Sequence, residues 1–204
     1  PIASGKISLK QSFLYIIILC LLAFLILMQF NLFTIILGMS SMILAFSYPF
    51  MKRITYWPQL FLGITFNWGI IMAWASVNNN VNQDIIILYL SAIFWTLGYD
   101  TIYGAQDISD DEIIGLKSTS IKFKKNINFF VGLMYLANIT LITYLFTDSI
   151  GYNLFSLLFG LFIFSLFYQV FTFNKKNSES CLEMFKINNF SGLIFFISIL
   201  TINN

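Results

Sequence analysis

Long apolar runs alternate with short polar breaks along the whole chain. The runs are Ser12–Phe30, Leu32–Pro49, Pro58–Val77, Ile85–Tyr103, Ile127–Phe146, Tyr152–Phe173 and Lys186–Ile202. Most approach the ~20 residues an α-helix needs to cross a ~30 Å hydrocarbon core. Amphipathic periodicity within them is weak, as expected where lipid and protein interior are both apolar. The pattern predicts an all-α, polytopic transmembrane bundle of seven spans, forming one domain over residues 1–204 with no linker. The seventh span is the least sharply marked, because Asn188, Asn189 and Ser191 sit at its start. The Gln29–Asn31 break is barely a turn and predicts a tight hairpin of spans one and two. Ala105–Lys125 is the longest connection, and long loops in compact domains tend to carry function.

Composition sharpens this picture. With 58% hydrophobic residues, 24 Phe and a mean hydropathy of +0.82, the chain is that of an integral membrane protein. All eleven Lys and Arg fall on alternate connections: Lys6 and Lys10, then Lys52 and Arg53, then Lys117, Lys122, Lys124 and Lys125, then Lys175, Lys176 and Lys186. The intervening connections hold none. The positive-inside rule places the basic loops in the cytoplasm and the C-terminus outside. A net charge of +2 spread over four loops offers no basic face for nucleic acid. The absence of histidine excludes His-ligated zinc and a His general base. Cys20 lies mid-span and Cys181 in a loop, so they form neither a metal pair nor a disulfide. The chain opens on Pro with no signal peptide, and reads as an internal piece of something longer.

One stretch concentrates the chemistry. Asp100, Asp107, Asp110, Asp111 and Glu112 place five carboxylates within thirteen residues of a chain only 10% charged. Ionised acids beside hydrocarbon are costly and mark function. If span four stays helical through its end, Asp100, Tyr103, Asp107 and Asp111 stack on one face at steps of three and four. Carboxylates so placed repel unless a cation relieves them, and Mg²⁺ takes oxygen ligands of this kind together with phosphate oxygens. A solvated acidic cap is the alternative. On the same side Tyr48, Lys52 and Arg53 end span two; they suit either membrane anchoring or a grip on a diphosphate or carboxylate. Lys117, after Gly115 and before Ser118-Thr119-Ser120, is an anchor or a further phosphate ligand. Phe66, Trp68, Met72 and Trp74 read as packing residues. Asn67 among them needs a partner or a cavity.

Taken together, PIASGKIS, YPFMKRITYWPQLFLG, FNWGIIMAWAS, YDTIYGAQDISDDEIIGLKSTS and CLEMFKINNFSGLIFF resemble the UbiA superfamily of intramembrane aromatic prenyltransferases, over the full chain. The resemblance is strongest to the branch that acts on 4-hydroxybenzoate, through YPFMKR. It implies nine helices around a central cavity, of which these seven would be the third to ninth. It also implies a first Asp-rich motif just before an RPxxSG sequence whose Pro would be Pro1, so this chain alone would be inactive. By motif, Asp107 and Asp111 become Mg²⁺-diphosphate ligands, with Asp100 and Asp110 as weaker ones. Arg53 joins Asp107 and Asp111 as a catalytic residue, and Tyr48, Lys52, Lys117, Asn67 and Tyr103 bind substrate. Ile71 stands where relatives often have Pro, which implies a third span without a kink.

The activity so implied is Mg²⁺-dependent transfer of a polyprenyl chain from polyprenyl diphosphate to the ring of 4-hydroxybenzoate, for ubiquinone biosynthesis. The setting would be a bacterial inner membrane, with the site loops cytoplasmic and no obligate protein partner. Homogentisate, a naphthoate or a porphyrin are alternative acceptors. CDP-alcohol phosphotransferases also use intramembrane Asp and Mg²⁺, but their DGxxAR motif is absent. A channel or carrier would need polar groups deep in several spans, and few are expected from the sequence.

Overall fold

A membrane-crossing chain must satisfy its own backbone, because hydrocarbon offers no hydrogen-bond partner. The computed structural model, which describes residue 2 and residues 4–202, meets this demand with helices throughout. Pro1 and Ala3, part of the opening motif, and the last two residues lie outside the described residues. Seven helical segments are long and apolar enough to span a bilayer, as the hydrophobic pattern predicts. Span one is α1 (Leu9–Leu27). Span two is α2 (Leu32–Ser47), continued by a 3₁₀ turn at Tyr48–Phe50 and α3 (Met51–Ile54). Span three comprises α4 (Pro58–Phe66) and α5 (Trp68–Asn78). Span four is α6 (Gln83–Gly104), followed by the short helices α7 (Ile108–Ile113) and α8 (Thr119–Lys122). Spans five to seven are α9 (Ile127–Leu145), α10 (Leu154–Thr172) and α11 (Ser178–Leu200).

Polar residues at the breaks start these helices. The side chains of Ser8, Asn31, Asn82, Asn153 and Asn177 each accept a bond from a first-turn N–H. Three boundaries differ from the sequence pattern. Span seven begins at Ser178, well before Lys186, because Asn177 caps it there. Cys181 is therefore buried in a helix rather than placed in a loop, and Lys186 lies on a helical surface. Span three is interrupted: Asn67 sits between α4 and α5, outside helical geometry, although no Pro stands at Ile71. Span four stops at Gly104, so the acids do not share one continuous helix face.

The helix α6 is the axis of the bundle, packed against α4, α5, α9 and α11. It approaches α9 tightly at Gly98, where an added Cβ would run into the ring of Tyr135. Phe155, Phe159, Phe162 and Leu166 of α10 join Val131 and Ile142 of α9 and Met184 of α11 in the main apolar core. By contrast, α1 buries none of its residues. The hairpin it makes with α2 closes at the turn, where Leu27 occupies the notch at Gly38. Alternate connections collect at opposite ends of the bundle. At the lysine-bearing end the Lys117 N–H donates to the Lys52 carbonyl at 2.8 Å. At the other, Asn31 Nδ2 donates to the carbonyl of Ala75 at 2.8 Å.

Polar side chains inside the spans are more numerous than expected, and they satisfy one another. Gln169 Oε1 accepts from Tyr135 Oη at 2.6 Å and from Asn188 Nδ2 at 3.0 Å. Asn188 Oδ1 accepts in turn from the Trp95 indole at 2.9 Å, and Ser165 and Ser191 pair at 2.8 Å. All of these groups are neutral. They fasten α6, α9, α10 and α11 by hydrogen bonds that lipid cannot replace. Gly98→Ala should therefore wedge α6 from α9 and strain the Tyr135–Gln169 bond, costing about 1–3 kcal/mol. Thermal unfolding in detergent checks this; an unchanged midpoint would mean that the seam has slack.

Candidate active site

The chain leaves α6 at Gly104 and must return to the bundle before α9. Three devices make that return rigid. Gly115 takes a left-handed conformation at φ +73°. With it, the Leu116 N–H reaches the Asp111 carbonyl at 2.8 Å and the Gly115 N–H reaches that of Glu112 at 3.3 Å. This pair of bonds is a Schellman ending for α7. The Ser118 side chain then caps α8 by accepting from the Ile121 N–H at 3.1 Å. Finally, the Ser-Thr-Ser run is buried against α6 and α4. Thr119 Oγ1 and Thr101 Oγ1 lie 2.7 Å apart, Ser120 Oγ donates to the Thr101 carbonyl at 2.8 Å, and the Thr119 N–H donates to Gln59 Oε1 at 2.9 Å. Gln59 is 3% exposed.

This anchoring turns α7 toward the end of span two. Asp111 is 7% exposed, and its carboxylate lies 3.6 Å from Lys52 Nζ. The charge of Lys52 also reaches Asp100, in the last turns of α6, and Asp107, at the start of α7. Tyr48, half-buried one helical turn before Lys52, is within electrostatic reach of Asp100. Partial burial, then Asp111, and more weakly Asp110, push the Asp107 carboxyl above the ordinary Asp range, while Lys52 opposes them. Lys52 is thus paired with Asp111 and within electrostatic reach of Asp100 and Asp107. Asp107 and Asp111 are hard oxygen donors whose mutual repulsion a divalent cation relieves, so this donor chemistry fits Mg²⁺.

The other expected residues are distributed unevenly. Lys117 Nζ donates to the Ile54 carbonyl at 3.2 Å and lies 5.6 Å from the Tyr56 ring centre, bracing the loop after span two. Asp110 and Arg53 are exposed, and among the described residues neither has an opposite charge within 4.0 Å. Tyr103 packs on Phe185 with ring centres 4.7 Å apart. Asn67 fills the break in span three, and its Nδ2 donates to the Gly63 carbonyl at 2.9 Å and to Thr96 Oγ1 at 2.8 Å.

Asn67 also lines a cavity of about 300 Å³ that the sequence reading did not delineate. Its walls include Phe66, Trp95, Thr96, Tyr99 and Phe185, with Asn188 and Asn189 of α11. Trp95, Tyr99 and Tyr103 follow one another by four residues, so they form a single stripe on α6. At 1.5 Å per residue that stripe rises about 12 Å, from the cavity to the level of the acids. Asn188 and Asn189, the polar pair in span seven, belong to this wall. An Asn pair inside an apolar run was the available signal.

The geometry is that of a membrane helical bundle with acids and a lysine paired at one end and an aromatic cavity among its helices. The chain matches the UbiA prenyltransferase family over residues 1–200, and it belongs to that family. A mitochondrial 4-hydroxybenzoate polyprenyltransferase of Rattus norvegicus is 37% identical over 201 residues, covering 98% of this chain and 54% of that protein. A 4-hydroxybenzoate octaprenyltransferase of Serratia proteamaculans is 36% identical over 201 residues, covering 98% of this chain and 69% of that protein. The chain spans about half the length of the first of these relatives. Among solved structures, an apo UbiA homolog from Aeropyrum pernix K1 superposes with a TM-score of 0.79 at 21% identity, covering 98% of this chain and 75% of that one. It supports the fold.

Two outcomes test the geometry. In Gly115→Ala the left-handed backbone is lost at a cost of about 1–2 kcal/mol, and Gly115→Asn should cost less; both are read by thermal unfolding. No side chain crowds Gly115, so any loss measures backbone alone. In a double-mutant cycle, Lys52→Met and Asp111→Asn should couple by about 0.5–1 kcal/mol, since Lys52 is partly solvated. Simple additivity would mean that the pair is incidental.

Proposed function

We propose that this chain forms the diphosphate-binding half of a Mg²⁺-dependent polyprenyltransferase acting on 4-hydroxybenzoate. The observation that supports it best is the pairing of Asp111 with Lys52 at 3.6 Å, with Asp107 and Asp100 within electrostatic reach of the same lysine. Relatives named for prenyl transfer to 4-hydroxybenzoate favour that acceptor over homogentisate, a naphthoate or a porphyrin.

In this reading Asp107 and Asp111 would hold Mg²⁺, with Asp100 and Asp110 as auxiliary ligands, and the bound ion would supply positive charge to the diphosphate leaving group. Lys52 supplies a fixed positive charge beside the leaving group, which is stabilisation of charge that develops in the transition state. Lys117 and Tyr48 hold the loop that carries Lys52, and Arg53 reaches the diphosphate or the acceptor carboxylate from the solvent side. Trp95, Tyr99 and Tyr103 present aromatic faces to the prenyl chain, where a developing allyl cation is favoured. Asn67 orients the acceptor ring, whose carbon ortho to the hydroxyl attacks and then loses a proton. The lipid bilayer accommodates the tail. The basic loops face the cytoplasm of a bacterial inner membrane in this reading, in keeping with the positive-inside pattern; curated relatives include mitochondrial proteins as well.

The test incubates membranes containing the full-length protein with labelled polyprenyl diphosphate and a panel of aromatic acceptors, with and without Mg²⁺. Product should form from 4-hydroxybenzoate and depend on the cation. Asp107→Ala and Asp111→Ala should each lower kcat by about 10²-fold or more without affecting membrane insertion. Lys52→Ala should cost more than Arg53→Ala, because only Lys52 lies among the carboxylates. Wild-type turnover in either Asp variant would remove that residue from the site.

A further inference from the structure

A second cavity lies at the same end of the bundle, where α9 begins, α10 ends and α11 begins, with Ala105, Gln106, Ile108 and Ser109 of the acid-bearing connection forming its remaining wall. It measures about 680 Å³ and is lined by Lys124, Lys125, Lys175 and Lys176, together with Gln106, Ser109 and other residues. Four lysines from two loops line it, and one of them has a carboxylate partner. Lys124 alone is neutralised, by both carboxylate oxygens of Glu112 at 2.9 and 2.7 Å. Among the described residues, no carboxylate lies within 4.0 Å of Lys125, Lys175 or Lys176. Lys175 Nζ donates to the carbonyls of Lys124 and Lys125 at 2.6 and 3.5 Å, which ties the two loops together and fixes the pocket's shape. Below it, Asn128 Nδ2 bridges to the Val170 and Phe173 carbonyls at 3.1 Å each, closing the α9–α10 seam.

We propose that this pocket binds the phosphodiester headgroup of an anionic phospholipid. Its lysines stand within a few residues of three membrane-helix ends, the level at which lipid phosphates lie. Phe129 and Phe171, on the adjoining ends of α9 and α10, are 75% and 83% exposed and offer an apolar surface for acyl chains. Uncompensated ammonium groups attract such a headgroup strongly near a membrane surface, and basic pockets between membrane helices are suited to it. The bound lipid bridges the loop before α9 to the loop before α11, and so braces the two elements that flank the candidate active site. A free phosphate has the charge but lacks the chains.

The test exchanges the purified full chain into phosphatidylcholine nanodiscs containing a minority of phosphatidylglycerol, and counts retained lipid by native mass spectrometry. Phosphatidylglycerol should be retained selectively and released at high salt. Lys125→Gln combined with Lys176→Gln should weaken retention roughly 30-fold, while Lys125→Arg with Lys176→Arg should preserve it. Lys6→Gln with Lys10→Gln, which removes equal charge elsewhere, should leave it unchanged. Equal retention by the double Gln variant overturns the proposal, as does equal loss in the Lys6 and Lys10 variant. Displacement of the lipid by inorganic phosphate at matched concentration would also overturn it, by marking a site for free anions. None of these readouts depends on prenyl transfer.

Discussion

Hydrocarbon cannot hydrogen-bond, and nearly every feature of this protein answers that constraint. Backbone amides are paired within helices, and helix starts are closed by Ser or Asn side chains. Buried polar side chains find partners on neighbouring spans, as Trp95, Asn188, Gln169 and Tyr135 do in series. Among the described residues, Thr34 Oγ1 and Asn138 Oδ1 are the buried side-chain atoms without a protein partner. The network is neutral throughout, so it holds spans together at little cost in desolvation. Charge is left to the ends.

At one end the charges are organised rather than merely solvated. The Asp-rich segment could have drifted as a loop, since its acids repel and its helix is only six residues long. It is instead pinned from both sides. The left-handed Gly115 reverses the chain, and Thr119, Ser120 and Gln59 seal the return against α6 and α4. With those anchors in place, Lys52 is held among acids from two other elements. The fold thus holds these charged groups in place rather than leaving them to a mobile loop. The broken third span contributes similarly, since Asn67 both repairs the interruption by bonding Gly63 and presents a polar edge to the cavity.

Much of this was legible before any coordinates. Seven spans, their alternating basic loops and the concentration of acids after span four follow from composition and spacing, because membrane insertion is governed by segment hydrophobicity and flanking charge. The family resemblance rests on motifs that survive as contiguous strings, and the comparisons agree with it. Boundaries were less legible. Asn177 starts α11 eight residues before the apolar run suggests, and Gly104 ends α6 although its acids keep helical spacing. Caps and turns depend on single side chains whose local bonds a hydropathy pattern does not weigh.

What the sequence determined by itself, then, is the number of crossings, the end on which the chemistry gathers and the kinds of groups available there. Tertiary structure alone decided which of those groups meet. Lys52 rather than Arg53 stands beside Asp111 because a four-residue helix presents the two side chains about 100° apart, and only one direction faces α7. Asn67, Trp95 and Asn188 line one cavity although 28 residues and then 93 separate them in the chain. Such meetings depend on how whole helices pack across long sequence separations, and residue type carries no information about that distance.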